Sequence, residues 1–145
     1  MDRAIRGEIA KYQAHELVGV SCLADGADQI FARAILDHGG QLEVVIPASE
    51  YRDGLPEESH AAYDALLARA RTRHRLDRRT SDADADMEAS RFMLANADRL
   101  IAVWDGKPAR GHGGTADVLA LAQQHGTEVT VVWPSGANRD ASAVT

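Results

Sequence analysis

Short apolar runs alternate along this chain with segments of helical periodicity, and this alternation constrains the fold more than any other feature. Strands are predicted over residues 17–22, 42–47, 73–76, 99–104 and 128–134. Helices are predicted over residues 3–14, 57–72, 87–97 and 115–125, and one more ends at Gly39-Gly40. Because helical crossovers join parallel strands, we expect an α/β fold. It would be a single domain of three layers, with a mostly parallel sheet of about five strands and helices on both faces.

Length and charge narrow the class of protein. The chain has 145 residues, which suits one domain over residues 1–134, and residues 135–145 are predicted to form a disordered tail. The apolar fraction of 45% is that of an ordinary globular protein. The net charge of -6 argues against nucleic-acid binding, which needs clustered Lys and Arg. A small anionic ligand is compatible with this charge, because a few backbone N–H groups can hold it.

No cofactor, metal or membrane is indicated by the sequence. Cys22 is the only cysteine, so no internal disulfide can form, and a cytoplasmic location is expected. No apolar run approaches the length that spans a bilayer. The histidines lack zinc-ligand spacing, and Asp82-x-Asp84-x-Asp86 is followed by Met87 where a calcium loop needs Gly.

The segment after the fourth predicted strand carries the strongest functional signal. The strand ends at Trp104-Asp105, a glycine-rich loop follows, and a helix opens at Thr115. Backbone N–H groups and a helix dipole would converge there on an anion. The spacing is neither a Walker loop nor a dinucleotide fingerprint, and the alternative is a tight turn with Thr115 as N-cap. The candidate ligand-binding residues of this segment are Trp104, Asp105, Gly106, Gly113, Gly114 and Thr115.

A second strand-to-helix turn, Asp25-Gly26-Ala27-Asp28, is predicted to face the same crevice. Two acids would repel a phosphate, so this turn is expected to meet a ribose hydroxyl or to organise the loop. The alternative is an acidic capping box. Candidate ligand-binding residues here are Gly26, Ala27 and Asp28, and further candidates are Ser21, Pro47 and Tyr51.

Two carboxylates are candidates for catalysis. Asp105 and Asp117 could stabilise or attack an oxocarbenium-like sugar during cleavage of an N-glycosidic bond. Asp117 could equally complement the dipole of its helix. Trp104 could stack on a base or simply pack in the core.

Four segments together resemble the SLOG superfamily, over roughly Leu17 to Pro134. This group of Rossmann-like domains includes the LOG cytokinin-activating phosphoribohydrolases and the DNA-processing protein family, and it is similar to the nucleoside deoxyribosyltransferases. The segments are Ser21-Cys22-Leu23-Ala24-Asp25-Gly26-Ala27-Asp28, Val45-Ile46-Pro47, Ala97-Asp98 to Asp105-Gly106, and Gly113-Gly114-Thr115-Ala116-Asp117. The resemblance implies a phosphate at Gly113, Gly114 and Thr115, with Gly26, Ala27 and Asp28 on the opposite side.

The chain departs from these relatives at two places. Enzymatic LOG members carry Pro-Gly-Gly-x-Gly-Thr-x-x-Glu, whereas here Asp117 comes two residues after Thr115 and Val118 stands where their glutamate would be. Relatives also usually begin with a central strand, whereas this chain starts in a helix near Arg3. We expect a truncated product, or a sheet whose gap is closed by direct pairing or by another subunit.

Three functions are compatible with these observations. The first is a sensor or accessory module that binds a nucleotide or nucleotide-derived molecule, as a homodimer. The second is an N-glycosidic enzyme, either a nucleoside monophosphate phosphoribohydrolase or similar to a deoxyribosyltransferase, which uses Asp117 or Asp105. The third is a protein-interaction module with a vestigial pocket and an exposed apolar edge.

Overall fold

The computed structural model describes residues 2–103 and 115–132, and in these ranges helices and parallel strands alternate as the sequence predicts. The predicted tail over residues 135–145 lies outside the described residues. The helices are α1 (Asp2–Ile9), α2 (Ala27–Asp37), α3 (His60–Ala68), α4 (Ala83–Ala95) and α5 (Thr115–His125). The strands are β1 (Val18–Ser21), β2 (Gln41–Ile46), β3 (Thr72–Arg75), β4 (Arg99–Val103) and β5 (Glu128–Val132).

The expectation of one five-stranded sheet is wrong for the described residues. They form two parallel sheets, one of three strands in the order β1-β2-β3 and one of two strands, β4 and β5. Residues 2–16 hold α1 and a short 3-10 turn and supply no strand. Direct pairing of β1 with β4 is absent from the described sheets, because a cavity lies between the two strands.

β2 is the centre of the larger core. It has a neighbour on each side, and its side chains Leu42, Val44 and Val45 are fully buried. Tyr63 and Leu66 of α3 pack in the same apolar cluster. Burial on both faces explains why β2 reads as a continuous apolar run instead of an alternating one.

α4 reaches both sheets. Ala89 lies in the apolar cluster around β2, whereas Leu94 packs against Val118 and Ala122 of α5. The helix starts where Asp82 caps it, since the Asp82 carboxylate accepts a hydrogen bond of 2.8 Å from the Ala85 N–H.

α1 is shorter than predicted. Its buried side chains are Ile5 and Ile9, and the helix ends at Ile9 instead of residue 14. α2 ends as predicted before Gly39, whose φ of 94° is the left-handed conformation that commonly closes a helix. Within residues 2–103 and 115–132, no helix combines the length and apolar composition needed to cross a membrane.

Candidate functional site

A cavity of about 460 Å³ lies between the two sheets. Along one side it is lined by the chain from Leu17 to Cys22, which includes all of β1. Along another it is lined by Asp98 to Ile101 and by Val103, and so by most of β4. Side chains of α1, α2 and α4 also contribute to the lining. A cavity of this size falls in the range typical of small-molecule sites.

The carboxyl ends of β1 and β4 meet at this cavity. Ser21 ends β1, and Ala27 and Asp28 form the first turn of α2; all three line the cavity. Val103 ends β4 and Val118 lies near the start of α5, and they line it as well. The ends of β1 and β4 and the first turns of α2 and α5 therefore border one space, and α/β proteins bind ligands at the carboxyl ends of their strands.

The turn after β1 is held by side-chain hydrogen bonds. The Leu23 N–H donates to the Ser21 hydroxyl at 3.0 Å, and the Gln29 amide donates to the Leu23 carbonyl at 3.3 Å. The Asp28 carboxylate accepts a bond of 3.3 Å from the Ala24 N–H and is only 4% exposed. Hydrogen bonds within the protein thus hold this turn without a ligand, and they fix Asp28 at the edge of the cavity.

Leu23 takes a conformation that non-glycine residues rarely adopt. Its φ is 59°, in the left-handed region, and its side chain is fully buried. Such backbone costs about 1–3 kcal/mol and is found most often at functional sites. Sequence reasoning missed Leu23 because Leu gives no signal of positive φ. It also missed Gln29. The only signal in the sequence that Gln29 has a structural role is that a long polar side chain falls on the buried face of α2.

Gly26 directly precedes α2 with φ of 84° and ψ of -122°. A side chain would be strained in that conformation, so the backbone explains the glycine without reference to a ligand. Gly26 is exposed at the surface of the same turn.

Two predicted site residues, Pro47 and Tyr51, lie in the core. Tyr51 is buried and packs on Tyr63 with ring centroids 6.2 Å apart. Pro47 is fully buried at the end of β2. Neither lines the cavity between the sheets.

The other predicted residues follow β4. Trp104, Asp105, Gly106, Gly113 and Gly114 lie outside the described residues. Thr115 begins α5, and Asp117 lies in the first turn of that helix, half-buried and one residue before the cavity-lining Val118.

Charged side chains surround one end of the cavity, near the start of β1 and β4. Glu43 of β2 binds His74 at 2.9 Å and Arg71 at 2.5 Å. The hydrogen bond from His74, followed by that from Arg71, holds the pKa of the Glu43 carboxyl below its ordinary value. Arg99 is bound to the carboxylate of Glu128. Both arginines of the cavity lining are therefore already paired with carboxylates.

Cys22 is a neutral buried thiol. Burial, reinforced by the nearby Asp28, raises the pKa of the thiol well above its ordinary value. Its Sγ lies 3.8 Å from the sulfur of Met93 on α4. This environment favours a packing role over a nucleophilic one.

Within the described ranges, no group of three or more His, Cys, Asp or Glu side chains is arranged to hold a metal ion. The chain matches no protein-family model and no curated protein sequence.

Proposed function

We infer that the chain binds a nucleotide or nucleotide-derived small molecule, as a sensor or accessory module. One observation carries the proposal: the two ends of the turn after β1, Ser21 and Asp28, border the same cavity as Val103 at the end of β4 and Val118 near the start of α5. The sequence had singled out these two connections for their glycine, acid and threonine content.

The two connections offer complementary chemistry. The N-terminus of α5, preceded by Gly113-Gly114, provides N–H groups and positive dipole charge for a phosphate. Asp28 provides a buried acceptor for sugar hydroxyls. An acid at one turn and a glycine-rich helix start at the other suit a molecule that carries a sugar and a phosphate.

The resemblance to SLOG domains supports this proposal and extends it. Such domains are Rossmann-like, and the two parallel sheets would become one if a strand occupied the space between β1 and β4. The three-layer Rossmann-like architecture is part of the proposal on that basis.

Calorimetric titration with a panel of nucleoside monophosphates, deoxynucleosides and nicotinamide dinucleotide tests the proposal. We expect saturable binding of at least one member. Asp28→Asn should weaken it by about tenfold or more, because a hydrogen bond to a charged group contributes about 1.5–3 kcal/mol. Asp25→Asn is the matched control, since Asp25 lies on the same turn but does not line the cavity. If no member of the panel binds, the proposal is overturned.

Chromatography of the same mixtures separates binding from catalysis. Intact ligand after long incubation supports a sensor. Release of a free base, abolished by Asp117→Asn, would instead establish the N-glycosidic alternative and contradict a purely binding role.

A further inference from the structure

The cavity between the sheets is an open slot between two strand edges. β1 is an edge strand of the three-stranded sheet, and β4 pairs only with β5 in the two-stranded sheet. Both strands line the cavity along their length. An edge strand presents a row of N–H and C=O groups that another strand can pair with.

The direction of these groups is known for β1. The Gln41 N–H donates to the Leu17 carbonyl at 3.0 Å, so Leu17 points its carbonyl at β2. Main-chain groups alternate in direction along a strand, and Gly19 therefore faces β2 as well. The N–H and C=O groups of Val18 and Val20 face the opposite edge, which is the cavity side.

Helices cover both faces of β1. A Cβ on Gly19 would lie 2.6 Å from Ile35 of α2. Cys22, an odd number of positions from Gly19 and so on the other face, has its Sγ 3.8 Å from the sulfur of Met93 of α4. Successive residues point to opposite faces of a strand, so α2 and α4 lie on opposite faces of β1. A strand beside β1 would be buried on both faces and would carry apolar side chains on both, as parallel strands in covered sheets do.

The charged side chains of the cavity lining favour some polypeptide segments over others. Four acids line the cavity against two arginines; Arg71 is bound to one of these acids, Glu43, and Arg99 is bound to Glu128 outside the lining. At the end of the slot where β1 and β4 start, an acidic segment would be repelled, and a segment with neutral core residues and basic flanks would be favoured. The acids are Glu16, Asp28, Glu43 and Asp98, and the arginines are Arg71 and Arg99.

We propose that this slot takes up an extended, apolar polypeptide segment with basic flanks, which inserts between β1 and β4 and joins the two sheets. β1 has four residues and β4 has five, so the matching segment is about 13–17 Å long at about 3.3 Å per residue. A polypeptide strand can pair with both rows of main-chain groups at once, which a nucleotide cannot. The proposal goes beyond nucleotide binding and does not depend on it.

Fluorescence anisotropy with designed peptides tests the insertion. The probes have five-residue cores of Val, Ile, Ala and Thr, flanked by Lys, and a matched set is flanked by Glu. We expect at least one Lys-flanked probe to bind with a Kd of about micromolar, and the Glu-flanked version of the same core to bind more weakly. No binding of any Lys-flanked probe at about millimolar concentration would overturn the proposal.

N-methylation of the peptide distinguishes insertion from simple edge addition. Alternate residues of an inserted strand donate to β1 and to β4, so methylating either alternate set should weaken binding by about tenfold or more. If one of the two sets can be methylated without loss, the peptide pairs with a single edge and insertion between the sheets is wrong.

On the protein side, Val18→Pro removes one N–H donor that faces the slot. Leu17 already has φ of -89° and ψ of 122°, which suits the residue before a proline, and proline is tolerated at the first residue of a strand. We expect about fivefold weaker peptide binding, whereas Val18→Ala, which keeps the N–H, should bind nearly as the parent does. Equal binding by the two variants would contradict pairing at this edge.

Sedimentation of the protein alone tests whether a second copy of the chain fills the slot. We expect the slot to be accessible in the monomer, so that the Kd for the peptide does not depend on protein concentration. A dimer that must dissociate before the peptide binds would mean that a second copy fills the slot, and this would overturn the proposal. Nucleotide titrations are done without peptide, so either proposal can fail alone.

Discussion

The two sheets differ in how deeply their strands are buried. In the three-stranded sheet, Val44 of β2 is 0% exposed, whereas in the two-stranded sheet Val129 and Val131 of β5 are 36% and 49% exposed. β2 has strand neighbours on both sides, and β5 has one. Apolar side chains of the same kind therefore contribute more to stability in β2, which has a strand on each side, than in β5. A two-stranded sheet is only marginally stable by itself.

α4 and α5 pack on one side of β4, and Val103 of β4 packs in a second cluster with Ile5 of α1 and Ile35 of α2. Leu94 of α4 packs against Val118 and Ala122 of α5, with Leu100 of β4 beside them. This cluster is smaller than the one around β2. Local opening should therefore be easier in the region of β4, α5 and β5 than around β2.

The same substitution in each sheet gives the sharpest test of this difference. Val44→Ala should lower the free energy of unfolding by about 2–3 kcal/mol, because it removes two methyl groups from a filled core. Val131→Ala should change it by less than about 0.5 kcal/mol, because that side chain is half exposed. Urea denaturation of both variants measures the two values. Equal losses would show that the smaller sheet is covered as fully as the larger one.

A glycine in β1 tests how closely the three-stranded sheet packs on α2. A Cβ at position 19 would lie 2.6 Å from Ile35 Cγ1 and 2.9 Å from its Cδ1. Gly19→Ala should therefore lower the free energy of unfolding by about 2 kcal/mol, as overpacking commonly does.

The control for this variant is the same change in α1. Nothing lies within 4 Å of a Cβ built on Gly7, and there alanine should raise the free energy of unfolding by about 0.5–1 kcal/mol through helix propensity. Thermal unfolding of both variants should give shifts of opposite sign. A neutral Gly19→Ala would mean that β1 and α2 separate easily.

Element positions were predictable because apolar runs and glycine stops are local signals. β2 was predicted over 42–47 and spans Gln41–Ile46, and α5 was predicted over 115–125 and spans Thr115–His125. The division into two sheets was not predictable in this way. A strand buried on both faces has an apolar sequence whether or not both of its edges are paired, so the sequences of β1 and β4 do not reveal that each pairs on only one side in the described sheets.

The position of the candidate site was predictable in part, because strand-to-helix turns also carry local sequence signals. Glycines and acids after a strand indicate a strand-to-helix turn, and Ser21, Ala27 and Asp28 do line one cavity. Tyr51 was not separable from a core residue, because an aromatic side chain after a strand suits a base or a core equally well. Its partner Tyr63 lies 12 positions along the chain on α3, and only tertiary structure brings the two rings together.

The smallest expected difference between the sheets is electrostatic and depends on pH. Glu43 accepts hydrogen bonds from His74 and Arg71 across β2 and β3, and these lower its pKa. A lowered carboxyl pKa stabilises the fold above the unfolded value of about 4.3, and the contribution is lost as pH falls through the folded value. Glu43→Gln should therefore cost about 1 kcal/mol near neutral pH, and the cost should disappear in acid. Urea midpoints measured from about pH 3 to 7 would follow this loss.

Glu128→Gln is the matched change in the smaller sheet, where Glu128 is bound to Arg99 across β4 and β5. Both of those side chains are exposed, and an exposed ion pair contributes little because water and salt screen it. We expect a change of less than about 0.5 kcal/mol at neutral pH. If Glu128→Gln costs as much as Glu43→Gln, then cross-strand charge contributes equally to both sheets, and the difference between them comes from apolar burial alone.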